Sequence, residues 1–139
     1  MPMGEMLLNL VQGADFEIKT KKGFQVGVHL VVPPFPYEDK RLFEANSRDT
    51  AIVFKKKSNR EGVHIGDVKL VNDEWIMAGY TGTALVVVGT GQTMSQAKQQ
   101  AYSRVSNILI PNMYYRTDIG DRWTEDSDKL HNWGYLRES

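Results

Sequence analysis

The chain has no cysteine in its 139 residues, which excludes disulfides, thiolate metal sites and a cysteine nucleophile. It also has no net charge, with 17 Lys and Arg against 17 Asp and Glu. No global field therefore draws in nucleic acid or an anionic membrane. Long apolar runs are missing. The N-terminal run over residues 6–11 is too short for a span or a signal peptide, and no basic segment precedes it. The expected compartment is the cytoplasm. Histidine is scarce: His29, His64 and His131 stand far apart without metal-ligand spacing, so no metal site is expected. No Gly-x-Ser-x-Gly or Walker sequence occurs. Lys55-Lys56-Lys57 is one short basic run, better read as a solvated strand end than as a nucleic-acid stripe.

What is present is an ordinary globular composition, 41% hydrophobic and 24% charged, in a chain long enough for one domain and one core. Residues 85–88 are an apolar, β-branched run that reads as a buried strand. Gly89-Thr90-Gly91 reads as a sharp turn, and Thr93 with Gln96 forms a capping box. Ala97, Ala101, Val105 and Ile108 then share one helical face, in a helix that stops before Pro111. The Gly-x-Gly lacks the third glycine of a dinucleotide loop, since Met94 stands there. The helix N-terminus could still attract an anion.

Elsewhere, residues 4–12 read as a short helix with Met6, Leu7, Leu10 and Val11 on one face and Gly13 as its stop. Residues 24–32 alternate as a half-buried strand, ended by Pro33-Pro34-Phe35-Pro36. That segment reads as a rigid loop or as a ridge at the mouth of a site. Residues 38–45 suggest one helical turn, and residues 51–54 a strand. Residues 63–71 and 74–78 form a hairpin signature about Asn72-Asp73. In the tail, Ser127 could cap a short helix, and Leu130, Trp133, Tyr135 and Leu136 are apolar enough that the segment should dock. Asp67, Asp118 and Asp121 are candidate acids that spacing alone cannot pair. Antiparallel strands with one long helix on a face predict an α+β fold.

The strand ending in Gly-Thr-Gly, the Thr-capped helix with Tyr102-Ser103-Arg104-Val105, and Tyr115-Arg116-Thr117-Asp118-Ile119-Gly120 resemble the C-terminal domain of phosphoribosylamine–glycine ligases. These are ATP-grasp enzymes of purine synthesis. The similarity extends more weakly through residues 64–70 and 33–37 and involves about two-thirds of the chain. It implies an antiparallel sheet or partial barrel with one long helix packed on it. It also implies that residues 1–13 continue from an ATP-grasp region and that residues 14–139 are the C-terminal domain with a docked tail.

In such ligases glycine is joined to phosphoribosylamine through a glycyl phosphate made from ATP. The resemblance implies that ATP and Mg²⁺ are held by lobes outside this segment, which closes one side of the active site and is inactive alone. The implied partners are those N-terminal and ATP-grasp lobes and small-molecule substrates. Where the family has Gly-Gly-Arg, this chain has Thr81, Gly82 and Thr83. Thr83 supplies neither the charge nor the fork of the arginine that would face a sugar phosphate. Thr81, Gly82, Thr83, Arg116 and Asp118 are the substrate-binding or interdomain candidates, with no catalytic residue within the segment. The alternative is a free-standing α+β module that binds a partner or an anion without catalysis.

Overall fold

A computed structural model describes residues 1–56 and 59–136. In chain order the elements are α1 (Met3–Val11), β1 (Phe24–Val31), α2 (Lys40–Asn46), β2 (Ala51–Phe54), β3 (Val63–Ile65), β4 (Val68–Val71), β5 (Glu74–Met77), β6 (Thr83–Gly91), α3 (Met94–Val105), β7 (Ile108–Leu109) and α4 (Trp123–Asn132). Two antiparallel sheets result, ordered β1-β6-β3 and β4-β5-β2-β7. The fold is α+β as expected, but the sheets are not closed into a barrel.

Period-two alternation orients β1. Val26, Val28 and Leu30 are buried while Gln25, Gly27 and His29 face out. Opposite them, Leu85 and Val87 of β6 enter the same core, with Leu30 paired to Leu85 and Val28 to Val87. Helix α3 closes the inner face through Ala97, Ala101 and Val105, all buried. The capping box at its start is complete: Gln96 N donates to Thr93 Oγ1 at 3.2 Å, and the Gln96 side chain accepts from Thr93 N at 3.3 Å.

Gly89-Thr90-Gly91 is not a turn. These residues continue β6, paired with Phe24, Gln25 and Val26. The glycines serve helix approach instead: a Cβ on Gly91 would stand 2.6 Å from Ala97 N. Nor does α3 run to Pro111. It ends at Val105, and Ile108–Leu109 returns as a strand against Val53 and Phe54. The buried Asn107 makes that turn, accepting from Lys56 N at 2.8 Å and donating to Asn59 O at 3.3 Å.

The 63–71 run divides between the sheets, because Gly66 N and Asp67 N donate to Ala84 O and Thr83 O before the chain crosses to β4. The β4–β5 hairpin turns at Asn72-Asp73, both with positive φ. The 38–45 segment holds a full helix, because Asp39 Oδ1 accepts from Arg41 N and Leu42 N at 3.0 Å and caps it.

Of the two terminal helices, α1 forms where the sequence placed it and α4 does not. α1 forms with Gly13 at φ 63, yet none of its residues is buried. α4 begins at Trp123 rather than at Ser127. It docks through Trp123, whose ring meets Phe24 edge-on at 5.1 Å, while Trp133 and Tyr135 remain 66% and 77% exposed. Lys57 and residues 137–139 lie outside the described residues. No helix among the described residues is long and apolar enough to cross a membrane.

Candidate functional site

The five candidates fall into two groups on either side of the C-terminal end of β1. Val31 pairs with Thr83 on one edge and bridges to Tyr114 on the other. Neighbouring strands lie ~4.8 Å apart, so these flanking backbones are on the order of 10 Å from each other.

In the first group, Thr81 closes a turn onto Asp67. Asp67 Oδ2 accepts from Thr81 N at 3.1 Å and from Thr81 Oγ1 at 2.6 Å, while Thr81 Oγ1 accepts from Thr83 N at 3.2 Å. The hydroxyl is occupied as both donor and acceptor, which gives it a structural role. Gly82 is buried with φ 81, its O accepting from Val32 N at 2.9 Å. A side chain there would be strained in backbone and would press on Val32 O and on Phe35 N, 3.1 Å away. Thr83 turns its methyl toward Gly66, where a Cβ would meet it at 2.9 Å.

In the second group, Arg116 and Asp118 form a two-pronged pair, Nε to Oδ1 at 2.9 Å and Nη2 to Oδ2 at 2.6 Å. Their side chains are 74% and 53% exposed. Both face solvent, but not by strand alternation: the chain bends at Thr117, Tyr115 and Thr117 are exposed as well, and only Ile119 is half-buried before Gly120 turns the chain at φ 88. The Arg116 hydrogen bond holds the Asp118 carboxyl below its ordinary range, and Asp118 raises Arg116. Tyr102 of α3 fastens the segment: its hydroxyl donates to Arg116 O at 2.8 Å and accepts from Ile119 N at 3.2 Å.

Among the described residues no hydrogen bond or ion pair joins the two groups directly. Phe35 joins the first group to Tyr114, two residues before Arg116. Gly82 lies beneath the Phe35 backbone, and the Tyr114 hydroxyl donates to Phe35 O. Partial desolvation raises the Tyr114 phenol above its usual value. The proline segment is thus held between Gly82 and Tyr114, and His29 packs edge-on against Phe35 at 5.4 Å. Tyr102 and Tyr114 were not singled out by sequence pattern, because a tyrosine hydroxyl's partner is a matter of tertiary contact.

His29 and His64, remote in sequence, share the outward face of the first sheet on either side of Val86. Among the described residues no group of three or more His, Asp or Glu could hold a metal ion. Asp121 pairs with Lys98, not with another acid. Of the first-turn N–H groups of α3, Gln96 N is met by Thr93 Oγ1, and the backbone just before the helix is met by glutamine side chains. Gln92 N donates to Gln96 Oε1 at 3.0 Å and Thr90 N to Gln100 Oε1 at 2.8 Å. A cleft of about 480 Å³ lies at that end, between Phe24, Met94, Lys98, Gly120 and Trp123; none of the five candidates lines it, but its Lys98 helps to lower the Asp118 carboxyl.

Similarity to known proteins follows the same outline. The family model described as "Phosphoribosylglycinamide synthetase, C domain" matches residues 26–122. A phosphoribosylamine–glycine ligase of Mycobacterium tuberculosis is 33% identical over 128 residues, covering 89% of this chain and 28% of its own length. One from Mycobacterium leprae is 32% identical over 123 residues, covering 86% and 26%. The crystal structure of the phosphoribosylamine–glycine ligase of Thermotoga maritima shares the fold, with a TM-score of 0.63 at 24% identity, over 81% of this chain and 26% of that one. The chain therefore spans little more than a quarter of the length of these relatives. By that match across its central 26–122 segment, the chain belongs to the family of the phosphoribosylglycinamide synthetase C domain.

Proposed function

We propose that this chain is the C-terminal domain of a phosphoribosylamine–glycine ligase, acting in purine synthesis in the cytoplasm and not catalytic by itself. The 33% identity to a ligase of that name over 89% of the chain carries the reading. On it, residues 14–139 form the domain and residues 1–13 are a helix leading out of the ATP-grasp region. The partners are the N-terminal and ATP-grasp lobes and the small-molecule substrates.

The residues present do not fit ATP or Mg²⁺. The Gly89-Thr90-Gly91 backbone is committed to strand pairing, and the N–H groups at Gln92 and Thr93 are met by the Gln96 side chain. Among the described residues the acidic side chains do not gather as metal ligands. What this domain can offer is Thr81, Gly82 and Thr83 on one side of Phe35 and Tyr114 on the other, with Arg116 and Asp118 following Tyr114 in the chain. Arg116 would position a substrate or the seam between lobes, with Asp118 orienting its guanidinium. Thr83 supplies no cation for the sugar phosphate, so at that point recognition falls to backbone N–H groups and to other residues.

The test is ligation of glycine to phosphoribosylamine, followed as ADP release, by a protein joining this domain to the remaining lobes. Removing residues 14–139 should lower kcat/KM by about 100-fold or more, roughly 2.7 kcal/mol. Absence of ADP release from the assembled protein would overturn the reading.

A further inference from the structure

The cleft at the start of α3 has a lining of two kinds. Part of it is apolar. Phe24 and Trp123 meet edge-on at 5.1 Å, and Met94 joins them, its Sδ 3.1 Å from where a Cβ on Gly120 would stand. Gly120 thus leaves space for the thioether. The rest is polar: Lys98 pairs with Asp121, and Thr93, Ser95 and Thr124 complete the lining. At about 480 Å³ the cleft falls within the range of about 300–1,000 Å³ usual for small-molecule sites, which join apolar walls to a few polar groups. Phe24 and Trp123 both stand outside residues 26–122, the segment that the family model matches.

The ion pair in this cleft is unsaturated. Asp121 Oδ1 takes one proton of the Lys98 ammonium, which has three to give. Among the described residues, Asp121 Oδ2 and the remaining Lys98 protons have no hydrogen-bond partner. The two side chains are 52% and 31% exposed, so a ligand can reach both, and a pair this open adds little to stability. A ligand with a single charge would be drawn to one member of the pair and repelled by the other. A zwitterion with ammonium and carboxylate on one carbon complements both at once. The apolar part of the lining then selects its third substituent.

We propose that this cleft binds a free α-amino acid with an apolar side chain. Its carboxylate lies on Lys98, its ammonium on Asp121 Oδ2, and its side chain against Phe24, Met94 and Trp123. Glycine, with no side chain to offer the apolar residues, is a poor fit. Binding here is independent of ligation, and it stands or falls apart from that reaction.

NMR titration of the 139-residue chain with L-phenylalanine, read at the Trp123 indole N–H, tests the proposal. The expected result is a saturable shift. 3-Phenylpropionate lacks the ammonium, phenylalaninamide lacks the carboxylate and glycine lacks the ring. Each should bind at least about tenfold more weakly, as for loss of one charge-assisted bond or of one aromatic contact. Lys98→Gln and Asp121→Asn should each weaken L-phenylalanine by about tenfold. No saturable shift overturns the proposal. Equal binding of 3-phenylpropionate makes the cleft an anion site, and equal binding of the amide makes it a cation site. Equal binding of glycine leaves the apolar residues idle, and tighter binding of methyl glucoside makes it a sugar site; each of these overturns it. Parental affinity in either variant does so too. The analogue series uses the unaltered chain, so it decides the matter even where a variant unfolds.

Discussion

Gly89 lies directly beneath Ala101, so close that a Cβ added to the glycine would stand 2.8 Å from Ala101 Cα. The helix can rest on the sheet there only because one partner has no side chain and the other has a single methyl. Gly89→Ala should force α3 off the strand, at about 1–3 kcal/mol for overpacking. Urea unfolding would show it as a lower midpoint at unchanged slope. A midpoint equal to the parent's would mean α3 does not approach β6 this closely.

The same helix tests its cap. Thr93→Ala removes the acceptor for Gln96 N and should lower stability by about 1 kcal/mol. Ala101→Asp buries an unpaired charge and should be far more damaging. If both variants unfold at the same urea concentration, the assigned buried face is wrong.

Asp67 holds residues 79–83 by two hydrogen bonds from Thr81, so its removal should act on the fold and not on chemistry. Asp67→Ala leaves Thr81 N without its acceptor, and about 1–3 kcal/mol should be lost in thermal unfolding. In the assembled ligase, kcat should fall no more than the unfolded fraction explains. A large drop in kcat in a fully folded variant would make Asp67 a participant in the reaction.

Tyr102→Phe keeps the ring and deletes both hydrogen bonds that fasten the 116–119 segment to α3. The amide of Ile119 should exchange with solvent faster, by about tenfold or more, while amides within the β1–β6 ladder stay protected. Unchanged exchange at Ile119 would show that the segment is held without the tyrosine.

The Arg116–Asp118 pair predicts a pH dependence with a definite sign. Asp118 is depressed in the folded state, so its contribution is complete above the ordinary aspartate range and is lost as pH falls through the folded value below it. A carboxyl carbon titration by NMR should place Asp118 below a free aspartate, and Arg116→Ala should return it there. Melting at neutral pH should barely change, because both side chains are solvated. In the assembled ligase the same variant should lower kcat/KM at least about tenfold. Near-normal kinetics would leave Arg116 as a surface residue.

Much of this was legible in residue order because it depends on neighbours within one or two turns. The Thr93–Gln96 box, the buried Ala97-Ala101-Val105 stripe and the inward Val26-Val28-Leu30 face follow from periods of 3.6 and 2. Period two fails at Arg116 and Asp118: they pair on the solvent side, but the chain bends at Thr117 and Tyr115 and Thr117 are exposed too. The family follows from the same local runs.

Tertiary structure decided what local pattern left open. Gly89-Thr90-Gly91 has the composition of a turn, but β1 pairs it into the ladder and α3 needs its missing side chains. Residues 63–71 look like one strand, yet the two sheets compete for it and Ala84 and Thr83 win Gly66 and Asp67. Trp133 was as apolar as Trp123, but only Trp123 reaches a partner, the edge of Phe24. The candidate site shows the same division. The family resemblance suggests Thr81, Gly82, Thr83, Arg116 and Asp118, while only the packed chain brings Phe35 between Gly82 and Tyr114. Contacts across such sequence distances depend on which surfaces bury the most apolar area together, a property of the whole chain and not of any segment.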